Sequence, residues 1–336
     1  MSLAQVRPLR IVALLYAALL VAWRPLRDSP IGTWWLYQLI DILEPWLYVP
    51  VAPLALIALS RRDVPATVVM GMPVLAFVIE YGPLFRPVPR SDATGRGLRV
   101  MTANVRAGNT DVVALGAALT DEQPDVVALQ ELGPELAAYL THTFRERYPH
   151  QAIVPSSNRQ MDNGMGILSR YPITGVVAPQ MDPEGCGCQQ VKLDMLGQTI
   201  TVLNVHPAPP LISARKIGPF LVPNKFNPAN QEVARRALLE RLDAIAPPRL
   251  VVGDFNLSER QPFYQLMRRR FGDAYREAGW GLGPTYPNQP IDAIPMFPVV
   301  RLDYIFHDVQ WTVRRAWTAT LRGSDHRYVV ADLARR

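Results

Sequence analysis

Leu250-Val251-Val252-Gly253-Asp254-Phe255-Asn256 decides how this chain is read. A short aliphatic, β-branched run has the character of a buried strand, and here it empties into a glycine and two polar side chains. The arrangement recurs. Leu98 to Asn104 ends in Thr102-Ala103-Asn104, Asp125 to Leu129 runs into Gln130-Glu131, and Thr199 to Asn204 continues as Val205-His206. Ser324-Asp325-His326 stands just before a further strand, Tyr328 to Asp332. Asn, Glu, His and Asp gathered at strand ends suit a divalent cation, a held phosphate and an activated water, so the pattern predicts a phosphoester hydrolase.

Outward from these strands the chain alternates. Helices are expected over Thr110 to Asp121, from Gly133-Pro134 to about Arg145, over Ala229 to Ala244 and over Pro262 to Arg270. Further strands are expected near Gly166–Leu168, Gln190–Asp194, Arg301–Phe306 and Thr312–Ala316. Interleaved strands and helices with hairpin-like pairs predict an α/β fold, two packed mixed sheets with helices outside. Pro207 to Pro228 reads as one long loop, and Ile291 to Val300, with Met296 and Phe297, as a second apolar loop. Cys186 and Cys188 flank Gly187 and read as ordinary loop residues. A disulfide across so short a loop is strained, and no further Cys or His lies near to complete a metal site.

The first 85 residues differ in kind. Ile11 to Trp23 is uninterrupted and apolar between Arg10 and Arg24; Trp34 to Leu59 is apolar but broken by Asp41, Glu44 and prolines; Val64 to Glu80 is apolar again. A span needs about 20 apolar residues, fewer where flanking arginines snorkel. These segments predict about three transmembrane helices over residues 1–85, the second from Trp46 onward, with Trp34, Trp35, Trp46 and Tyr48 suited to the interface. A Pro/Arg/Gly linker over 86–97 then leads to a catalytic domain over 98–336. With the N-terminus inside, Arg7, Arg10, Arg61 and Arg62 are cytoplasmic and Arg24 and Arg27 are not. Arg86, Arg90, Arg96 and Arg99 oppose this, but a large domain translocates regardless of its charge. Three spans starting inside put the catalytic domain outside. The net charge of +6 favours an anionic partner, with nucleic acid and anionic lipid served equally well. Nothing in the sequence fixes the oligomeric state.

Met101-Thr102-Ala103-Asn104-Val105, Gln130-Glu131, Gly166-Ile167-Leu168-Ser169-Arg170, Asn204-Val205-His206, Gly253-Asp254-Phe255-Asn256, Arg301-Leu302-Asp303-Tyr304-Ile305 and Gly323-Ser324-Asp325-His326 together resemble the endonuclease/exonuclease/phosphatase superfamily, in that superfamily's order. The resemblance implies a four-layer α/β sandwich and an Mg²⁺-dependent phosphodiesterase or phosphatase, Mn²⁺ being an alternative ion. Glu131 is the expected metal ligand, with Asn104 alongside and Asp325 a further contributor. A hard cation keeps several waters, so one or two protein ligands suffice. His326, oriented by Asp303, is assigned to the scissile phosphate, and Asp254 to the attacking water. The converse division, with His326 the base and Asp254 a positioning group, stays open. Asn256 and His206 are expected phosphate donors. Where some members carry a second acid two residues beyond the Asn104 position, this chain has Arg106, which either holds a substrate phosphate or is a solvated surface residue.

The long loop after His206 holds Arg215, Lys216, Phe220 and Lys225 among apolar residues. Such a mixture suits an interfacial lipid headgroup better than a DNA groove, so these four are candidate substrate-binding residues. Three short spans ahead of one hydrolase domain resemble the VanJ-type teicoplanin-resistance proteins. That likeness implies an antibiotic-resistance role and an outward-facing phosphatase of undecaprenyl pyrophosphate or a related lipid. A membrane-tethered DNA or RNA nuclease and a sphingomyelinase-like phosphodiesterase are the alternatives.

Overall fold

A computed structural model describes residues 8–86, 97–156, 164–180, 187–217, 220–289 and 297–336. The expected linker lies outside the described residues except at its ends, as do Cys186 and Met296. The chain divides into two compact units: Met1–Arg86 with Ile212–Phe226, and Pro87–Leu211 with Asn227–Arg336.

In the first unit the helices are α1 (Pro8–Arg27), α2 (Trp35–Ile42), α3 (Val51–Ser60) and α4 (Val64–Tyr81). Two stretches, Pro8–Arg27 and Val64–Phe85, are long and apolar enough to cross a membrane, and Trp35–Ile42 with Glu44–Ser60 forms a pair bent by 76°. The bend of the second apolar run falls between Ile42 and Glu44, ahead of the stretch from Trp46 expected to span. Pro45 and Pro50 stand at the start of the short helical turn Glu44–Tyr48 and of α3, where a residue without an N–H is tolerated but cannot continue the preceding helix. Packing is inverted relative to a water-soluble core. Leu15, Leu56, Val68 and Ile79 face outward, while Ala13, Ala17, Ala58, Ala66 and Met70 form the interior. Small residues inside and large apolar ones outside are how helices pack in lipid. Arg10 Nε meets Asp63 at 2.8 Å beside the starts of α1 and α4, and Arg24 pairs with Glu80 near their ends. The two helices therefore run parallel, and the bent segment between them returns the chain from one end to the other.

The rest of the chain supplies β1 (Gly97–Asn104), α5 (Val112–Glu122), β2 (Val126–Gln130), α6 (Pro134–Thr143), β3 (His150–Val154), β4 (Met165–Ser169), β5 (Ile173–Gln180), β6 (Cys188–Asp194), β7 (Thr199–Val205), β8 (Leu211–Ile217), β9 (Phe220–Asn227), α7 (Glu232–Asp243), β10 (Arg249–Asp254), α8 (Pro262–Arg270), β11 (Gly272–Asp273), α9 (Ala274–Ala278), β12 (Asp303–His307), β13 (Trp311–Thr320) and β14 (Arg327–Arg335). One sheet has the order β13-β14-β1-β2-β4-β3, the other β11-β12-β10-β7-β6-β5, and among the described residues β8 pairs only with β9. The expected two mixed sheets with flanking helices are present. Strands β3 and β5 were not legible in the sequence, and the loop expected over Pro207 to Pro228 is largely the β8–β9 ribbon. Cys188 is not an ordinary loop thiol: it opens β6 and is disulfide-bonded, and Cys186 is the chain's other cysteine.

Strand alternation explains where the core and the polar residues go. Leu98 and Val100 of β1, Val126 and Ala128 of β2, Ile200 and Val202 of β7, and Leu250 and Val252 of β10 belong to one buried cluster. Their period-two neighbours Met101, Ala103, Val127 and Leu129 pack with Leu115, Leu119, Leu136 and Leu140 of α5 and α6, while Leu203, Val205 and Val251 pack with Leu238, Leu242 and Met267 of α7 and α8. Extending the first set by two residues at a time reaches Thr102 and Asn104, then Gln130, then Asn204 and His206, then Asp254. Each face that is apolar at its base turns polar at one end.

Register brings those ends level. β1 and β2 are parallel, with Asn104 opposite Gln130; β7 and β10 are parallel, with Val205 opposite Gly253; and antiparallel β12 sets Asp303 opposite Asp254. Gly253 makes this possible. Its φ is +142°, and a Cβ there would stand 2.0 Å from the Val205 carbonyl oxygen. Gly253→Ala is expected to cost at least about 2 kcal/mol from strain and backbone displacement, read as a lower thermal-unfolding midpoint in detergent. An unchanged midpoint would contradict this placement.

Candidate active site

Six side chains meet at the polar ends of the two sheets. Asn104 Nδ2 donates to Glu131 Oε1 at 2.7 Å and to Asp254 Oδ2 at 3.0 Å. His206 Nε2 lies 3.5 Å from Glu131 Oε1 and 3.9 Å from Asp254 Oδ2. His326 Nε2 lies 3.6 Å from Asp254 Oδ2, and its Nδ1 is 2.9 Å from Asp303 Oδ2. All but Glu131 are buried, and Asp254 is the shared member that links Glu131 with His206 to Asp303 with His326.

The backbone is held to suit. Glu131, Arg106 and Asn256 adopt positive φ values of 55°, 67° and 50°, a conformation that non-glycine residues keep only where the surroundings impose it. The Ala107 N–H donates to Glu131 Oε2, the Arg106 N–H to Asn104 Oδ1 and the Asn256 N–H to Asp254 Oδ1. Ser324 Oγ donates to the Asn104 carbonyl at 2.6 Å and accepts from the His326 N–H, so His326 is fixed to the end of β1. Beneath the site, Gln130 Nε2 donates to Thr102 Oγ1 and Asn204 Oδ1, and Asn204 Nδ2 to the Leu129 carbonyl. These buried amides tie the sheets together, each donor satisfied in the manner buried polar groups require.

Two expected roles look different in this geometry. Asn104 turns its amide nitrogen toward the two carboxylates while its oxygen accepts from the Arg106 N–H, so in this geometry it is the donor that lies between Glu131 and Asp254. Asn256 forms the Asx turn with Asp254 and gives its side-chain N–H to the Pro207 carbonyl at 2.9 Å, which leaves it one further N–H for substrate. Asp325 belongs to neither cluster of potential metal-binding groups among the described residues, and its charge acts on His326 from outside. Arg106 sits exposed at the rim, with its guanidinium 3.3 Å from Gln289 Oε1. Arg215 and Lys225 are exposed on the ribbon. The side chains of Lys216 and Phe220 lie outside the description.

Tyr286 was not singled out from the sequence. Its ring centroid is 5.0 Å from that of His326, and the charges of Asp325, Asp254, Glu131 and Arg106 all act on its phenol. Only its place between Thr285, whose hydroxyl accepts from the Leu302 and Asp303 N–H groups, and the Asp303 strand marks it.

Charge fits the donor set. Burial opposes ionisation of Glu131, but His206, Asn104 and the Ala107 N–H outweigh it and hold the carboxyl down to about 2. Burial likewise opposes the charge of His326, yet Asp303 and Asp254 carry its pKa up to about 10. Glu131, His206 and Asp254 offer ligand atoms within 4.8 Å of one another, as do Asp254, Asp303 and His326. Two carboxylates drawn together around one amide are a fit for a hard divalent cation with oxygen ligands. Glu131 is the residue that would hold it, with Asp254 facing the same space.

Because the folded pKa of His326 is above its usual 6.5, its ionic pairing stabilises the fold fully below about pH 6.5 and is lost as pH rises through about 10. The thermal midpoint of the protein in EDTA should therefore exceed that of His326→Gln at pH 6, with most of the margin gone by pH 10.5. A margin that widens with pH would contradict the assigned charge state.

Residues 101–326 match the Endonuclease/Exonuclease/phosphatase family. Among solved structures, an endonuclease/exonuclease/phosphatase from Beutenbergia cavernae is 21% identical, with 71% of this chain and 72% of that one covered and a TM-score of 0.52. The human Nocturnin catalytic domain with bound sulfate anion is 17% identical, covering 75% and 99%, with a TM-score of 0.51. Truncated Caenorhabditis elegans TDP2 is 18% identical, covering 73% and 100%, again with a TM-score of 0.51. At these identities the likenesses speak to the fold alone. The search of curated proteins gives no match. The family match covers well over half of the chain and includes every strand end that carries the site, so this protein belongs to the endonuclease/exonuclease/phosphatase family of metal-dependent phosphoester hydrolases.

Proposed function

We propose that this protein hydrolyses a phosphate or pyrophosphate ester of a membrane lipid with Mg²⁺, on the side of the bilayer opposite its N-terminus. The observation that carries the hydrolase part is the meeting of Glu131, Asp254 and His326 from separate strands at one site. The lipid part rests on the apolar outer surface of the N-terminal helices.

When bound, the cation supplies charge stabilisation to the phosphoryl oxygens. The chain's own residues divide the rest. His326, held at Nδ1 by Asp303, stays protonated at neutral pH and presents Nε2–H to charge developing on phosphorus. A protonated imidazole is not a base, so water activation falls to Asp254, whose Oδ2 lies between the two histidines. The charge state of His326 favours Asp254 in the division of roles left open above. His206 and the remaining Asn256 N–H are donors for non-bridging oxygens.

Parallel α1 and α4 support this sidedness, since a bent pair counted as one span between them gives three crossings. Near the starts of these helices stand Arg61, Arg62 and Arg10, the last paired with Asp63, and Arg7 precedes α1 in the sequence. At the other end Arg24 and Arg27 are paired with Glu80 and Asp41. That asymmetry supports a cytoplasmic N-terminus, and a disulfide at Cys188 suits an oxidising compartment.

Reconstituted full-length protein should release phosphate or headgroup from a polyprenyl pyrophosphate or phospholipid with Mg²⁺ and not with EDTA. Glu131→Gln and His326→Ala should each lower that rate by about 10² or more. Nicking of plasmid DNA without lipid turnover would replace this reading with the nuclease one.

A further inference from the structure

Among the described side chains of the β8–β9 ribbon, those of residues 211–215 and 223–225 are exposed and Phe226 is buried. Leu211 and Ile212 are 57% and 52% exposed, and neighbours on a strand point to opposite faces, so neither face is covered there. Ser213, Ala214, Arg215, Pro223, Asn224 and Lys225 are exposed as well. A ribbon of two strands is marginal by itself in water. From Pro207 to Gln231 the sequence holds Arg215, Lys216 and Lys225 and no acidic residue.

Its roots, by contrast, are fixed. Strand β8 begins five residues after His206. Asn256 Nδ2 donates to the Pro207 carbonyl, and fully buried Gln231 donates to the carbonyls of Ala208 and Asn256. Both roots are thus hydrogen-bonded to the loop that carries Asp254 and Asn256. Residues Ile212–Phe226 fall in the same compact unit as the apolar-surfaced helices.

We propose that the ribbon lies in the headgroup layer of an anionic bilayer, with Leu211 and Ile212 in the acyl boundary and Arg215 and Lys225 among lipid phosphates. Positive charge without compensating acid fits an anionic surface. Exposed aliphatic residues fit the layer beneath it. This deepens the lipid reading above and rests on it.

The test is Ile212→Cys in the full-length chain, labelled with an environment-sensitive fluorophore and reconstituted in vesicles of phosphatidylglycerol and phosphatidylcholine. Blue-shifted emission, quenched at least 2-fold by lipid-borne nitroxide and spared by iodide, is expected. Water-like emission quenched by iodide overturns the proposal, as does a spectral response to added double-stranded DNA alone. A second arm compares turnover of bilayer phospholipid with turnover of a soluble aryl phosphodiester. Leu211→Asp with Ile212→Asp should lower the bilayer-to-soluble ratio at least 10-fold, and an unchanged ratio also overturns it. The fluorescence readout needs no catalysis. An inactive enzyme with a lipid-embedded label therefore removes the hydrolase reading and keeps the ribbon, while an active enzyme with a wet label does the reverse.

Discussion

Asn104 placing one amide nitrogen between Glu131 and Asp254 is the contact on which the site depends. Asn104 and Glu131 come from one sheet and Asp254 from the other, so this contact closes the mouth of the sandwich. Two carboxylates at such range in a largely buried place repel and are costly to desolvate. The amide, two imidazoles and the backbone N–H groups of Ala107 and Asn256 are what make the arrangement tolerable. The same concentration of negative charge is what a divalent cation would meet. Structural strain and chemical purpose therefore share one location, as the positive φ values of Glu131, Arg106 and Asn256 also indicate.

No local segment could build this site. Each strand contributes one or two polar residues at its end, and the period-two alternation that buries Leu98, Val100, Leu250 and Val252 also aims Asn104 and Asp254 inward. Layered beneath them, the amide N–H groups of Gln130 and Asn204 donate hydrogen bonds that bridge the sheets. Those amides make the relative position of the sheets specific, which an apolar interface alone would leave looser. The active geometry is in this sense a property of sheet packing and register, and Gly253 is the point where that packing leaves no room for a side chain.

Much of this was legible because it is written in strand periodicity and in motif order. Val251-Val252-Gly253-Asp254 announces a buried strand with a polar end, and recurrence of the pattern predicted convergence. The superfamily resemblance and the two-sheet fold followed from the same residues. Orientation was not legible: whether Asn104 offers oxygen or nitrogen depends on the Arg106 N–H, which only the folded turn positions. Asn256 likewise turned out to serve the Pro207 carbonyl. Strands β3 and β5 lack a clean run of β-branched residues, and the prolines and glycine of Pro207 to Pro228 concealed a ribbon. Tyr286 carries no motif, since its significance lies in proximity to His326. The apolar N-terminus was evident from composition, and the interruption at Asp41, Glu44 and the prolines from single residues, but the 76° bend was not, because apolar content carries no helix direction.

The most direct test of the central claim is anomalous diffraction from crystals grown with Mn²⁺. The account requires a peak bonded to a Glu131 carboxylate oxygen at about 2.1 Å, as expected for a hard, octahedral divalent ion, with Asp254 and His326 facing the same space. A saturating Mn²⁺ concentration that yields no peak at Glu131, or a peak only at a distant surface carboxylate, would contradict it.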